Sequence, residues 1–134
     1  MAVTFKLEIV TPDRLVVEDN AEEMQIPGRN GYLGILPGHA PLITELAVGE
    51  VTYRNAGRSV RVAVAWGFAE VLPETVTILA ETAERAEEID VERARRALDR
   101  ARQRLQAGST ATDYDRALIA LERAETRLEV ARGK

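Results

Sequence analysis

Cysteine is absent from the 134-residue chain, which removes disulfides, thiolate metal sites and cysteine nucleophiles together. Histidine occurs once, at His39, so dyads or metal clusters built on paired imidazoles are missing as well. A solitary loop histidine is, as a rule, a hydrogen-bonded turn residue rather than a ligand. Aromatic residues make up only 4% of the chain, which leaves few platforms for stacking nucleic-acid bases. No apolar run approaches the ~18 residues of a membrane-spanning helix. The opening MAVTFKLEIV has neither the basic start and unbroken apolar stretch of a secretory signal nor the composition of a transit peptide. The chain is therefore expected to work where it is made, without inserting into a membrane, and its length allows one modest domain with an appendage.

What is present is divided unequally. The net charge of −4 is made of −7 over residues 1–88 and +3 over residues 89–134, and all but one of the basic residues after position 88 are arginine. Arginine is the side chain suited to bidentate recognition of carboxylate and phosphate. Overall negative charge, with acidic residues spread through the arginine-bearing segment, speaks against nucleic acid as the partner.

Up to about residue 82 the pattern is short and alternating. In Thr4–Val10, Phe5, Leu7 and Ile9 alternate with Lys6 and Glu8, the period of a strand with one buried face. Further strands are expected at Leu15–Val17, Glu23–Ile26, Tyr32–Leu36, Leu42–Leu46, Glu50–Arg54, Ser59–Val64, Gly67–Leu72 and Thr75–Ala80, separated by turn-rich segments. About ten short strands in a small β-sandwich over residues 1–84 is the expected first unit.

Beyond residue 88 the period becomes 3.5. Val91, Ala94, Leu98, Ala101 and Leu105 step by three and four, and Tyr114, Ala117, Leu121, Ala124, Leu128 and Ala131 do the same after the AGSTAT break. Asp90 and Asp113 stand where N-caps are expected and Gly108 where a helix ends. Residues 85–134 thus read as an antiparallel two-helix hairpin, making the fold class β plus α. Half of its seam is alanine, which buries little area per turn, so the hairpin is expected to need a docking surface and to hold it weakly.

Candidate chemistry is sparse. The Gly28–Pro41 stretch lacks the Lys-Ser/Thr pair of a phosphate loop and reads as turns or a surface interaction loop. The neighbouring carboxylates Glu22/Glu23 and Glu87/Glu88 point apart and are expected to be solvated. No nucleophile with a base and no metal constellation occurs, so no catalytic residue and no metal ligand is assigned. In the hairpin, antiparallel pairing about residue 110 brings Arg93 close to Arg127, and converging guanidinium groups near a helix start suit a phosphate chain. The alternative is a solvated face of Glu/Arg pairs such as Glu125, Glu129 and Arg132.

The run VTPDRLVVEDNAEEMQIPGRNGYLGILPGHAPLIT, the block Gly67-Phe68 followed by Val76-Thr77-Ile78-Leu79-Ala80, and Ala83-Glu84-Arg85-Ala86 leading into an Ala/Arg-rich hairpin closely resemble the epsilon subunits of bacterial F-type ATP synthases. The resemblance covers essentially the whole chain. It implies a non-catalytic rotor component of the central stalk, peripheral at the cytoplasmic face of the bacterial membrane. It also implies that the sandwich binds the gamma subunit and the c-subunit ring, with Gly31, Tyr32, Leu33, Gly38, His39 and Pro41 at the rotor interface. Many members carry an acidic residue where this chain has Tyr32, and the charge of that contact is missing here. The hairpin is implied either to fold on the sandwich or to extend into the alpha/beta catalytic head and block ATP hydrolysis.

Family members that bind ATP on the folded hairpin carry an Ile/Leu-Asp-x-x-Arg-Ala motif, present here as Ile89-Asp90-Val91-Glu92-Arg93-Ala94. The resemblance implies a nucleotide site of Glu84, Ile89, Asp90, Arg93, Ala94, Arg100, Arg123 and Arg127, the four arginines toward the phosphates and Ile89, Asp90 and Ala94 on the base and ribose side. No cofactor is required on this reading, and ATP is a regulatory ligand. A freestanding nucleotide-sensing or adaptor module is the other function class the residues allow.

Overall fold

A computed structural model describes residues 3–108 and 110–133. Eight strands precede two helices: β1 (Phe5–Val10), β2 (Leu15–Ala21), β3 (Glu23–Gly28), β4 (Gly31–Ile35), β5 (Leu42–Leu46), β6 (Gly49–Asn55), β7 (Arg58–Val71) and β8 (Thr75–Arg85). A single 3-10 turn at Ala86–Glu88 leads into α1 (Val91–Gln106) and α2 (Ala111–Arg132). The strands are joined in the order β2-β1-β8-β7-β5-β3-β4, with β6 bridging β3 and β7. β7, β5, β3 and β6 therefore form a closed hydrogen-bonded circuit, and the β-sandwich and helical hairpin expected from the sequence are both present. β1 lies parallel to β8, with Leu7 opposite Val76 and Ile9 opposite Ile78, which ties the start of the sandwich to the strand that leads into the hairpin.

The alternation in β1 does what period two requires. Phe5, Leu7 and Ile9 are buried and join Ile26, Ile35, Val51, Val62, Val71, Val76 and Ile78 in one core. Each such side chain contributes roughly 1.5–3 kcal/mol on full burial, so this cluster dominates the stability of the molecule.

Several expectations are corrected. Among the described residues the strands number eight, not about ten. Ser59–Val64 and Gly67–Leu72 are one strand, β7, because the chain bends between them without leaving the sheet. Trp66 (φ 51°) and Gly67 (φ 114°) take left-handed backbone conformations at that bend. There β7 exchanges partners, from β6 (Gly49 opposite Val64) to β5 (Leu46 opposite Gly67). Gly67 has to be glycine: a Cβ there would run into the backbone of Leu79 and Ala80. β2 continues past Val17 to Ala21, paired with β1 except where the register shifts at Val16.

In the hairpin, the seam alanines Ala94, Ala101, Ala117, Ala124 and Ala131 are buried, but Tyr114 is 49% exposed and outside the seam. It lies in the first turn of α2. The side chain of Asp90 accepts a hydrogen bond from the Arg93 N–H and caps α1 as expected, whereas α2 is capped by Thr110, whose hydroxyl accepts from the Asp113 N–H. Asp113 is thus the third residue of the helix and not its cap. Gly108 (φ 70°) follows the C-cap Ala107 of α1. Ser109, within the AGSTAT break, lies outside the described residues.

Candidate functional site

The two regions meet along α2. Val130 and Ala131 near its C-terminus pack with Ala63 of β7, Ala86 of the 3-10 turn and Ile89, forming a second, smaller apolar cluster. Four consecutive β7 residues, Val62–Ala65, are buried because both faces of the strand are covered there: Val62 and Val64 point into the sandwich core, and Ala63 joins the hairpin cluster. The VAVA alternation is the trace of this arrangement in the sequence, large on the core side and small where a helix must approach. At the end of α2, Gly133 abuts the Arg61 guanidinium, which makes hydrogen bonds of 2.7 and 2.6 Å to Glu50.

Between the sandwich and the hairpin the structure encloses a cleft of about 500 Å³. Its hairpin wall includes Arg93, Ala97, Arg123 and Arg127; its sandwich wall includes Arg14, Ala65, Glu81, Ala83 and Glu84. Its charge is unevenly neutralised. Arg127 is paired with Glu84, Nε at 2.7 Å from one carboxylate oxygen and Nη2 donating to the other at 3.1 Å. Arg14 is paired with Glu88, donating from Nη1 at 2.7 Å and from Nη2 at 3.1 Å. For Arg93 and Arg123 there is no carboxylate within ion-pair distance among the described residues. Arg123 instead lies over the ring of Trp66, 5.5 Å from its centroid. Two uncompensated guanidinium groups face a cleft of a size suited to a small ligand, an arrangement that attracts an anion.

Of the eight residues implied by the resemblance, Glu84, Arg93, Arg123 and Arg127 line this cleft. Asp90 caps α1 beside it, Ala94 is buried in the helical seam, and Ile89 sits in the second apolar cluster. Arg100 lies two turns further along α1, exposed and outside the lining.

The candidate rotor residues lie on the β3–β4 hairpin and the loop after β4. Gly31 (φ 130°) and Gly38 (φ 85°) supply left-handed turns. Tyr32 is 58% exposed, and its hydroxyl accepts a hydrogen bond from the Glu50 N–H at 2.9 Å. Leu33 is partly buried against the core, opposite Ile26 in β3. The His39 Nδ1 lies 2.7 Å from the Ala40 carbonyl oxygen, a local turn contact, and exposed Pro41 leads into β5.

Three features escaped the sequence reading. Glu88 is not a solvated charge: besides holding Arg14, its carboxylate accepts from the Arg85 N–H at 2.9 Å, and these contacts hold its pKa down at about 2. Glu22 likewise accepts from the Ala56 N–H at 2.8 Å, and Glu23 pairs with Arg54 at 3.1 Å. The outer sheet face carries a group of exposed apolar side chains, Ile43, Phe68 and Leu79, which strand register places on one face of β5, β7 and β8. Trp66, the chain's single tryptophan, falls between the expected strands Ser59–Val64 and Gly67–Leu72 and carries no role in the sequence analysis.

Comparison with known proteins agrees with the two-part architecture. Residues 4–86 match the family described as ATP synthase, Delta/Epsilon chain, beta-sandwich domain, and residues 87–132 match its long alpha-helix domain. The ATP synthase epsilon chain of Koribacter versatilis (strain Ellin345) is 71% identical over 106 residues, 79% of this chain and 75% of that one. That of Solibacter usitatus (strain Ellin6076) is 45% identical over the full length of both chains. A chain in the Euglena gracilis mitochondrial ATP synthase, solved as OSCP/F1/c-ring, superposes with a TM-score of 0.82 at 29% identity, covering 96% of this chain and 81% of that chain.

Proposed function

Since the chain belongs to the ATP synthase delta/epsilon chain family, we propose that it is a non-catalytic epsilon-type subunit of the central stalk whose hairpin is an ATP-responsive arm. The observation that carries the regulatory part is the cleft between hairpin and sandwich, with Arg93 and Arg123 uncompensated inside it. A polyphosphate bound there contacts both regions at once. Because only the docked hairpin forms the whole site, ATP stabilises docking by RT ln(1 + [L]/Kd), and falling ATP releases the arm toward the alpha/beta catalytic head. The sandwich then serves as the fixed part. The exposed Ile43, Phe68 and Leu79 suit the gamma subunit, and the loops around Gly31–Tyr32 and Gly38–Pro41 suit the c ring. On this reading the chain is peripheral at the cytoplasmic face of the membrane; neither helix is long and apolar enough to cross a bilayer.

The test combines two measurements on the full chain. In calorimetric titration ATP binds, and Arg93→Ala weakens binding at least tenfold, the loss of one charge-assisted phosphate contact of about 1.5–3 kcal/mol. Added to a catalytic head lacking this subunit, the chain inhibits hydrolysis at low ATP and loses its inhibition at high ATP. Unchanged affinity in Arg93→Ala removes the site; binding to the head without inhibition at any ATP concentration removes the movable arm.

A further inference from the structure

Resting on the nucleotide reading of the cleft, we propose that Trp66 is a positioning residue that holds Arg123 toward the ligand while leaving its charge intact. Trp66 is not in the lining of the cleft, whereas its neighbour Ala65 and its partner Arg123 are. Four arginines face that space, and they are held in different ways. Arg14 and Arg127 are each clasped by a carboxylate, Glu88 and Glu84, which fixes them and cancels their charge. Arg123 is fixed by the face of an indole at 5.5 Å. A cation over a π face is attracted by the ring quadrupole, yet no net negative charge is brought in. The guanidinium is thereby ordered, and its N–H groups remain free for a phosphate oxygen.

The backbone at this position points the same way. Trp66 sits at φ 51°, in the left-handed region that a bulky residue rarely occupies, and it is followed by the left-handed Gly67 at the bend where β7 changes partners. Its N–H donates to the Ala47 carbonyl at 3.3 Å across that junction. The half-buried ring contributes nothing to either apolar cluster. A large side chain in a conformation suited to glycine, outside the core and over an arginine of the cleft, has its explanation in that arginine.

Three variants of the full chain test this by calorimetric ATP titration. Trp66→Gly relieves the backbone and removes the ring, so its thermal midpoint is not lowered, while ATP affinity falls roughly three- to tenfold, the range of a cation–π contact. Arg123→Ala weakens binding at least as much. In the Arg123→Ala background, Trp66→Gly then has no further effect, which a merely structural role of the tryptophan does not produce. Native affinity in Trp66→Gly, or losses that multiply in the double variant, overturns the proposal. A ligand-free reading separates it from the nucleotide site itself: the emission of the single indole shifts on Arg123→Ala. If the native chain binds no ATP, the nucleotide reading falls and the positioning role with it, even where the emission shift shows the contact. If ATP binds and Trp66→Gly matches the native chain, only the role of Trp66 falls.

Discussion

In the sandwich most of the side chains that lose all contact with solvent are large, with Leu7, Ile9, Ile26 and Ile78 at 0% exposure beside the small Ala21 and Ala69; in the seam between the helices they are alanines, Ala94 at 0% and Ala101 and Ala117 at 1%. An alanine removes little more than one methyl group from water, about 0.8 kcal/mol per carbon, against roughly 1.5–3 kcal/mol for a leucine or isoleucine. Two helices joined by such a seam approach closely but gain little from doing so. The rest of the hairpin's hold comes from Val130 and Ala131 against Ala63, Ala86 and Ile89, and from polar contacts such as Arg127 with Glu84. The contrast teaches that one chain holds its two regions by different means, as the proposed movable arm requires: the difference lies in side-chain volume at the buried positions, not in the quality of the secondary structure.

The largest effect that breaks or sharpens this comparison comes from cutting one buried side chain in each region. Ile78→Ala is expected to cost about 3 kcal/mol and to lower the thermal midpoint of the whole chain. Val130→Ala, at 0% exposure in the hairpin cluster, removes two methyl groups and costs about 1–2 kcal/mol, read as faster amide exchange in α1 and α2 with the strand amides unchanged. Exchange that rises equally in both regions shows that they unfold as one unit and that the arm is not separable.

A smaller effect is expected at the junction of the two regions, where Glu88 of the 3-10 turn holds Arg14 of the β1–β2 connection. The hydrogen bond from Arg14 is the main cause of the lowered Glu88 pKa, about 2 in the folded chain against 4.5 for the unperturbed side chain. A carboxylate with a depressed folded-state pKa contributes stability above its unfolded value and loses it as pH falls toward the folded one. Docking of the hairpin therefore weakens between about pH 4.5 and 2 on this account, and Glu88→Gln abolishes that part of the pH dependence while weakening docking at neutral pH. Hairpin amide exchange measured from pH 7 downward checks it; identical acid limbs in both proteins refute the latch.

How much of this the sequence carried depended on the range over which each feature is determined. Phe5, Leu7 and Ile9 announce β1 because burial on one face is a local, period-two property, and Ala94, Leu98 and Ala101 announce α1 for the same reason at helical period. The expected strands Ser59–Val64 and Gly67–Leu72 leave a break at Ala65-Trp66, and only the pairing of β7 with both β6 and β5 keeps the strand continuous. Tyr114 fits the heptad arithmetic, yet in the first turn of α2 its side chain remains half exposed. Arg14 and Glu88 are 74 residues apart, and no spacing rule joins them. Antiparallel arithmetic joins Arg93 with Arg127, whereas Glu84 and Arg123 come to the cleft only through the resemblance. That two arginines of the cleft are neutralised and two are not is a tertiary property that only the folded chain displays.

The smallest expected effects sharpen the comparison within the arm itself. Asp90 and Thr110 perform the same task, each accepting the backbone N–H of the third residue of its helix, at 3.0 and 3.3 Å. Replacing either by alanine is expected to cost about 1 kcal/mol, visible as faster amide exchange in the hairpin. Their positions differ: Asp90 begins α1 beside Arg93 and the cleft, whereas Thr110 begins α2 at the loop end of the hairpin. If the cap is all that Asp90 provides, Asp90→Ser restores both hairpin protection and ATP affinity, because serine caps nearly as well. If the Asp90 carboxylate also faces the base or ribose, as the family resemblance implies, Asp90→Ser restores protection but not affinity. Thr110→Ala is the control, since it loosens the arm by the same amount from the far end. Any loss of affinity it shares with Asp90→Ala measures docking alone, and the remainder belongs to the site.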